Sequence, residues 1–581
     1  MEQTLNIAAL SHRPGTPYVC AAAERKVALR LRAPRGEVLS ADVIYAEKFR
    51  WHEPERRQSS AMARICSDER FDWFSATLAL DDDRLMYIFR INAAEGVLYL
   101  SEEGVSRDFS FELGYFNCFQ IPAIHEEAIL RVPEWLRGST CYQIFPDRFD
   151  GDVSGKPFVN MKRDDLPQPE SFAGGDLAGI TRRLDYLEDL GIRCLYLTPV
   201  FQSYSSHKYD TLDYTRVDER FGGNDALREL IDNARKRGMR VLLDGVFNHC
   251  SDDHPFFAEV RQLGYESPYH GWFYIDGDKP DAKLRNYRTF GDVSYMPRFN
   301  TECSSVIDYF CKIGRYWIEE FGADGWRLDV CDELSHEFLR SFRRAVKAAN
   351  PDAIILGEIW HDPSMWLTGD QLDGAMNYGL TKALLDLFAD TPFGDLGARG
   401  FADRLTRLLM RCTDPANDMM LNLLGCHDTH RFLTRVGGDA RRLAAAYAVM
   451  FFFPGMPMVY YGDEIGMTGG YDPDCRGCFD WNSDNWNMQL RETVKRLTAL
   501  KRSPALAKGD IDIEAEGSFI KITRRHGNDA RRLLLNASSC SETFDGITLP
   551  PFGFAVDGDI YSPVHSNDCK EELSCVNSKS A

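Results

Sequence analysis

Apolar residues change their spacing along this chain. Up to about residue 130 they alternate: Val27, Leu29 and Leu31 are interleaved with Ala28, Arg30 and Arg32, the period of a half-buried strand. Turn residues recur at Arg13-Pro14-Gly15, Pro34-Arg35-Gly36 and Asp81-Asp82-Asp83, and helical periods are few. The pattern predicts a small β-sandwich over 1–130. From Tyr142 onward, apolar runs alternate with amphipathic stretches. Runs at 141–145, 193–199, 239–245, 324–330, 353–359, 373–377, 419–425 and 456–461 read as strands. Stretches at 177–190, 223–237, 304–321, 333–349, 380–390, 396–412, 439–453 and 487–502 read as helices. Eight strands each followed by a helix predict an α/β fold, a (β/α)8 TIM barrel, across 131–503. Residues 250–300, after strand three, are too rich in Tyr, Phe and Trp for a bare linker and predict an inserted subdomain over the barrel mouth. After Lys501 short β-like runs return at 511–513, 518–523, 531–536 and 547–555. They predict a C-terminal β-sandwich over 504–581 with a frayed polar tail from about 563.

Composition narrows the function. A chain of 581 residues exceeds one core and should divide into about three or four domains. Its net charge of −20 speaks against nucleic acid, because phosphate binding needs clustered Lys and Arg. It also suits an anionic membrane surface poorly, so a neutral substrate is the simplest reading. No run of eighteen apolar residues occurs. The opening MEQTLNIAALSHRPG lacks the basic stretch and apolar core of a secretory signal. The 16 cysteines are scattered, several of them in apolar runs, which favours a reducing cytoplasm. Cys475 and Cys478 have metal-like spacing, but no second pair completes a four-ligand zinc site.

Four segments carry the chemistry. LLDGVFNH (242–249), GWRLDV (325–330), ILGEIW (355–360) and LLGCHDTHR (423–431) each place polar residues at the end of an apolar run. In a parallel barrel such ends converge on one cup. They supply Asp329, Glu358 and Asp428 with Arg327, His249 and His427. A pair of carboxyl groups is what glycoside hydrolysis requires: one protonates the leaving oxygen, the other attacks the anomeric carbon or activates water. Arg327 lies two residues before Asp329, on the same strand face, and should keep that carboxylate ionised. Glu358, between Ile355-Leu356-Gly357 and Ile359-Trp360, has an apolar setting that suits a protonated acid. Asp428 is placed to hold sugar hydroxyls. Taken singly, a buried Asp–Arg pair is usually structural and a His-Asp after a strand is usually a turn. Four such segments, all at the ends of predicted barrel strands and in consistent order, favour a catalytic cup.

DGVFNH, GWRLDV, GEIW and GCHDTHR also resemble the signature regions of the α-amylase superfamily, glycoside hydrolase family thirteen. The resemblance spans roughly residues 130–500. It implies a retaining mechanism on α-linked glucose, with Asp329 as nucleophile, Glu358 as acid/base and Asp428 as transition-state stabiliser. Arg327, His249 and His427 would then be first-subsite ligands. YQIFPDRF (142–149), SHKYDTLDY (206–214), MPRFN (296–300), GEIWHD (357–362) and YDPDCRGC (471–478) are similar to the neopullulanase, cyclomaltodextrinase and maltogenic amylase group. That likeness implies cytoplasmic homodimers acting on cyclomaltodextrins, maltooligosaccharides, pullulan and starch, often with transglycosylation. By it Tyr209 stacks on the first-subsite sugar near His207, Trp360 lies on the acceptor side, and Asp472 and Arg476 hold the non-reducing end.

Three departures stand out. The group's VANE is here Val330-Cys331-Asp332-Glu333, which exchanges an amide donor for an acceptor-only carboxylate and leaves α-1,6 tolerance open. MPRFN replaces MPKLN. The calcium loop keeps Asp150, Asp152, Gly174 and Asp176, but Gly155 and Lys156 stand where further oxygens are expected. No cofactor is required, calcium stays open at that loop, and a lysine there is a candidate substitute for the ion. Two other functions remain as alternatives: an α-glucosidase or glucan transferase on short oligosaccharides, and a non-catalytic barrel that only binds sugar.

Overall fold

Short runs of Val, Ile, Leu and Tyr punctuated by Gly can be buried on both faces, and only a parallel sheet wrapped in helices offers that environment. The computed structural model, which describes residues 5–389, 391 and 396–561, contains such a sheet. Its eight strands are Cys141–Ile144, Cys194–Leu197, Arg240–Gly245, Gly325–Leu328, Ile354–Gly357, Gly374–Ala375, Leu421–Leu423 and Met456–Tyr460. Neighbours pair in parallel around the ring, and a parallel bridge from Met376 to Leu421 closes it. At strand four, Gly325 has φ +153, and a Cβ there would lie 2.2 Å from the Ile354 carbonyl. Only glycine lets strands four and five approach so closely.

Each predicted strand run falls on a barrel strand, shortened at its ends. The stretch 177–190 is two helices, Leu177–Arg182 and Leu184–Leu190, broken at Arg183. The second ends on left-handed Gly191, the usual stop for a helix. The expected insertion after strand three holds one helix, Pro255–Leu263, and irregular chain. An aromatic cluster of Phe256, Tyr269, Trp272 and Tyr309 ties it to helix Ser304–Glu319.

The N-terminal part is a nine-stranded antiparallel sheet folded over on itself. Leu29, Val43, Phe74 and Phe89, from four strands, share one core. After the barrel, a five-stranded antiparallel sheet packs through Phe519 and Phe544 on a separate hairpin. The tail expected from about 563 lies outside the described residues.

Candidate active site

Polar residues gather where the barrel strands end, and they open into one cleft of about 710 Å³. Asp329, Glu358 and Asp428 line it with His207, Tyr209, His249, Trp360, Asp472 and Arg476. Arg327 and His427 are instead fully buried; they act on residues that line the cleft.

Arg327 organises the floor. Its Nη1 donates to both carboxylate oxygens of Asp244, at 2.8 and 2.9 Å, and to Asp329 Oδ1 at 2.9 Å. Its Nη2 lies 2.8 Å from Glu358 Oε2. One cation therefore serves three buried carboxylates. Burial, the largest effect, pushes Asp329 well above the usual carboxylate range against the pull of Arg327, and repulsion from Glu358, Asp244 and Asp428 adds to it. Burial raises Asp244 to about 6. Groups this close titrate as a set, and three carboxylates around one guanidinium hold a proton more readily than a lone acid. The expectation that Arg327 alone would keep Asp329 ionised is therefore not met, because burial and the neighbouring carboxylates outweigh its pull. The expected apolar setting of Glu358 is not what its carboxyl meets. Arg327, the Val330 N–H at 3.0 Å and Trp360 Nε1 at 3.1 Å all address it.

Backbone strain sits beside Asp329. Val330 has φ +45 and ψ 46, a left-handed conformation rare for a β-branched residue. The turn it makes aims the Val330 N–H at Glu358.

The histidines are neutral. Burial lowers His249 to about 3 and His207 to about 4, and takes His427 well below its ordinary value. Both ring nitrogens of His249 are buried with no hydrogen-bond partner among the described residues, and Nε2 lies 4.0 Å from Asp329 Oδ2. An unpaired buried nitrogen beside a carboxylate is costly unless a ligand hydroxyl fills the gap. His427 is fixed by the Gln143 amide at 2.9 Å and the Tyr209 hydroxyl at 2.5 Å. The Tyr209 ring lies parallel to it, with an interplanar angle of 4°.

At the opposite wall, Asp428 accepts from Arg476 at 3.0 Å and lies 3.1 Å from His427 Nε2. Arg476 also pairs with Asp472 at 2.8 Å. Trp360 stacks on Tyr378 with ring centres 4.2 Å apart. Cys475 Sγ donates to the His427 carbonyl at 3.1 Å, while Cys478 packs against Met161 and Ala173.

Several residues here escaped the sequence reading. Asp244 is bonded by the Tyr196 hydroxyl at 2.6 Å and the Tyr209 hydroxyl at 3.2 Å as well as by Arg327. Its signal was available, since it lies five residues before His249 in the same segment. Gln143 and Arg148 lie within YQIFPDRF, a segment singled out only for its resemblance, and Phe290 gave no signal. Phe290 stacks on His249 at 4.7 Å and lines the cleft.

The proposed calcium residues do not form an open set of oxygens. The Gly174 carbonyl and Asp176 both receive Lys156 Nζ, at 2.7 and 2.5 Å. Asp150 receives Arg183 Nε at 2.8 Å. Asp152 accepts from the Ser154 N–H at 2.9 Å. A hard divalent ion seeking six to eight oxygens does not fit this arrangement.

Comparison with known proteins agrees with the geometry. Residues 143–510 match the alpha amylase catalytic domain, and residues 5–125 match the alpha amylase N-terminal ig-like domain. A cyclomaltodextrinase from Geobacillus thermopakistaniensis (strain MAS1) is 40% identical over 543 residues, 91% of each chain. Neopullulanase 2 from Thermoactinomyces vulgaris is 42% identical over 512 residues, 87% of this chain and 86% of that one. A solved cyclomaltodextrinase structure superposes with a TM-score of 0.86 at 35% identity, covering 93% of this chain and 92% of its own.

Proposed function

The chain belongs to the alpha-amylase family, and from that premise we propose that it is a retaining α-glucan hydrolase. It cleaves α-1,4-glucosidic bonds in cyclomaltodextrins, maltooligosaccharides, pullulan or starch, with transglycosylation as a side reaction. The observation that carries this reading is the single guanidinium of Arg327, which holds Asp329 and Glu358 on its two terminal nitrogens.

In the first step Asp329 attacks the anomeric carbon while Glu358 gives its proton to the departing glycosidic oxygen. The sugar becomes an ester of Asp329. In the second step Glu358, now ionised, takes a proton from water or from a sugar hydroxyl, and that oxygen displaces Asp329. Asp428 accepts hydroxyls of the distorted sugar and stabilises positive charge on the ring. Neutral His249 and His207 hydrogen-bond hydroxyls without competing for the proton. Tyr209 offers an aromatic face to the apolar face of the glucose ring. No step needs a metal.

Two wider features accompany this reading. All cysteines among the described residues are free, which suits a reducing cytoplasm. The N-terminal domain leaves Leu113, Phe116 and Leu39 more than 70% exposed, which supports a homodimer in which this domain meets the partner chain.

The test is product analysis on β-cyclodextrin, pullulan and soluble starch in parallel, with Asp329→Asn as control. The wild type is expected to attack the cyclodextrin fastest and release maltose and glucose. Asp329→Asn should lose about 10³-fold or more in turnover with thermal unfolding unchanged. Wild-type-like turnover in that variant would remove the nucleophile. Inertness toward all three polymers, with activity on maltose or isomaltose, would move the protein to the α-glucosidase reading. Binding of maltooligosaccharide without hydrolysis would leave only a binding barrel.

A further inference from the structure

The segment after the first barrel strand carries Asp150, Asp152 and Asp176; three cations pair with the first and last of these, and Asp152 accepts from the Ser154 N–H. Lys156 Nζ donates to the Gly174 carbonyl at 2.7 Å and to Asp176 Oδ2 at 2.5 Å. Arg183 Nε donates to Asp150 Oδ2 at 2.8 Å, with an Arg182 guanidinium nitrogen 3.8 Å from the same oxygen. Arg183 cannot readily swing away, because its guanidinium lies 3.8 Å over the Trp481 ring. We propose that the Lys156 ammonium is the permanent structural cation of this loop, and that the protein holds its active-site support without a divalent metal there.

Charge and geometry both lead to this. Three carboxylates against three cations leave the loop neutral, so an added divalent ion would enter a site with no net negative charge to attract it. Its oxygens are also spoken for, because the carbonyl and carboxylate that would bind the ion already accept from the lysine. The lysine is partly shielded, with 18% of its side chain exposed. The backbone is shaped around this contact. Gly174 is left-handed at φ +81, and a Cβ there would strike Val159 at 2.6 Å. A Cβ on Gly151 would lie 2.3 Å from the Gly174 carbonyl oxygen. The carbonyl that Lys156 grips therefore has little freedom to turn.

The clamp reaches the cleft through hydrogen bonds. The N–H groups of Ala173 and Gly174 donate to the Asp147 carboxylate, which holds Arg148 Nε at 2.7 Å. Arg148 Nη1 donates to the Arg476 carbonyl at 3.1 Å, and Arg476 pairs with Asp428. Lys156 is thus a positioning residue, several bonds from the sugar. Its role stands independently of which glucan the enzyme prefers.

The experiment uses the full chain purified without added metal, with calcium content, Tm and kcat read together. Wild type should carry substoichiometric calcium, and its Tm should be unmoved by EDTA or by millimolar calcium. Lys156→Met should lower Tm by about 2–5 °C. Lys156→Asp, which removes the ammonium and adds oxygen ligands, should lose Tm and kcat together and regain both when calcium is added. One calcium per wild-type chain, or a fall in wild-type Tm with EDTA, overturns the proposal without requiring any variant to fold. An unchanged Tm in Lys156→Met also overturns it. Metal-independent stability in a wild type inert toward glucans would leave this inference standing and defeat the proposed function alone.

Discussion

Arg327 is fully buried, yet three carboxylates share it. That excess of negative charge is costly for folding, and with burial it raises both Asp329 and Asp244 above the usual carboxylate range. Glu464 shows the same physics without a catalytic role. It is fully buried beneath the Tyr142 and Tyr186 hydroxyls, which both donate to Oε1, at 2.8 and 2.6 Å. Its Oε2 has no partner among the described residues. Burial raises it from 4.5 to about 6. Between those values the folded chain holds a proton that the unfolded chain has lost, so this group's contribution is full below pH 4.5 and declines as pH rises through about 6. The loss amounts to about 2 kcal/mol. Glu464→Gln mimics the protonated form, because the amide oxygen can accept both tyrosines. The variant's Tm should therefore match wild type near pH 4.5 and exceed it progressively up to pH 7.5. A constant difference across that range would show that Glu464 does not titrate as its burial implies.

The segment Val330–Glu333, at the mouth of strand four, is where element and specificity meet. Its left-handed first residue leads into a single 3-10 turn, which places Asp332 in the cleft, 3.1 Å from His361 Nε2 and on the side of Trp360. A carboxylate there accepts from sugar hydroxyls but donates nothing. Asp332→Asn restores a donor worth about 0.5–1.5 kcal/mol, and should raise the share of panose released from pullulan by about 3–10-fold with turnover of maltotriose little changed. An unchanged panose share would take this segment out of branch recognition. How much of this could be read beforehand follows from the elements. All eight barrel strands were visible because parallel strands buried on both faces are nearly unbroken apolar runs. The polar residues just past them, Asp329, Glu358 and His427, stood out for the same reason. Asp244 and Gln143 did not, since a single polar residue inside an apolar run looks like an interruption until its partner is known. The break at Arg183 was hidden, and the lysine at 156 was legible only as a candidate substitute for an ion, because tertiary contacts determine both. Arg183 is held by Asp150 and Trp481, and Lys156 reaches a carboxylate twenty residues on.

Across the whole molecule the three parts are joined by buried cations. Arg30 leaves the N-terminal sheet, almost fully buried, to donate to the Cys412 carbonyl at 2.6 Å and to pair with Asp414. On the other side, Arg524 of the C-terminal sheet and Lys501 donate to the carbonyls of Phe451, Phe452 and Phe453, at the end of helix Ala440–Phe452. The Arg524 guanidinium at this helix C-terminus meets both an unpaired carbonyl and the dipole, while burial takes Lys501 well below its ordinary value and its amine serves as a hydrogen-bond donor. The N-terminal domain is thus anchored to the barrel while its apolar side chains Leu113 and Phe116 remain 80% and 73% exposed. Large apolar residues left open on a firmly anchored domain are suited to a second chain. Replacing both with aspartate removes about 2 kcal/mol of apolar burial at each position in each of the two chains, so the double variant should weaken dimerisation by about 10⁶-fold. Sedimentation at micromolar concentration should then show a dimer for wild type and a monomer for Leu113→Asp/Phe116→Asp. If the partner's domain narrows the cleft, the ratio of β-cyclodextrin to starch hydrolysis should fall with the dimer. A wild-type chain that sediments as a monomer would refute the interface. A monomeric variant with an unchanged ratio would separate assembly from substrate choice and return that choice to the cleft walls, Trp360 and Asp332 among them.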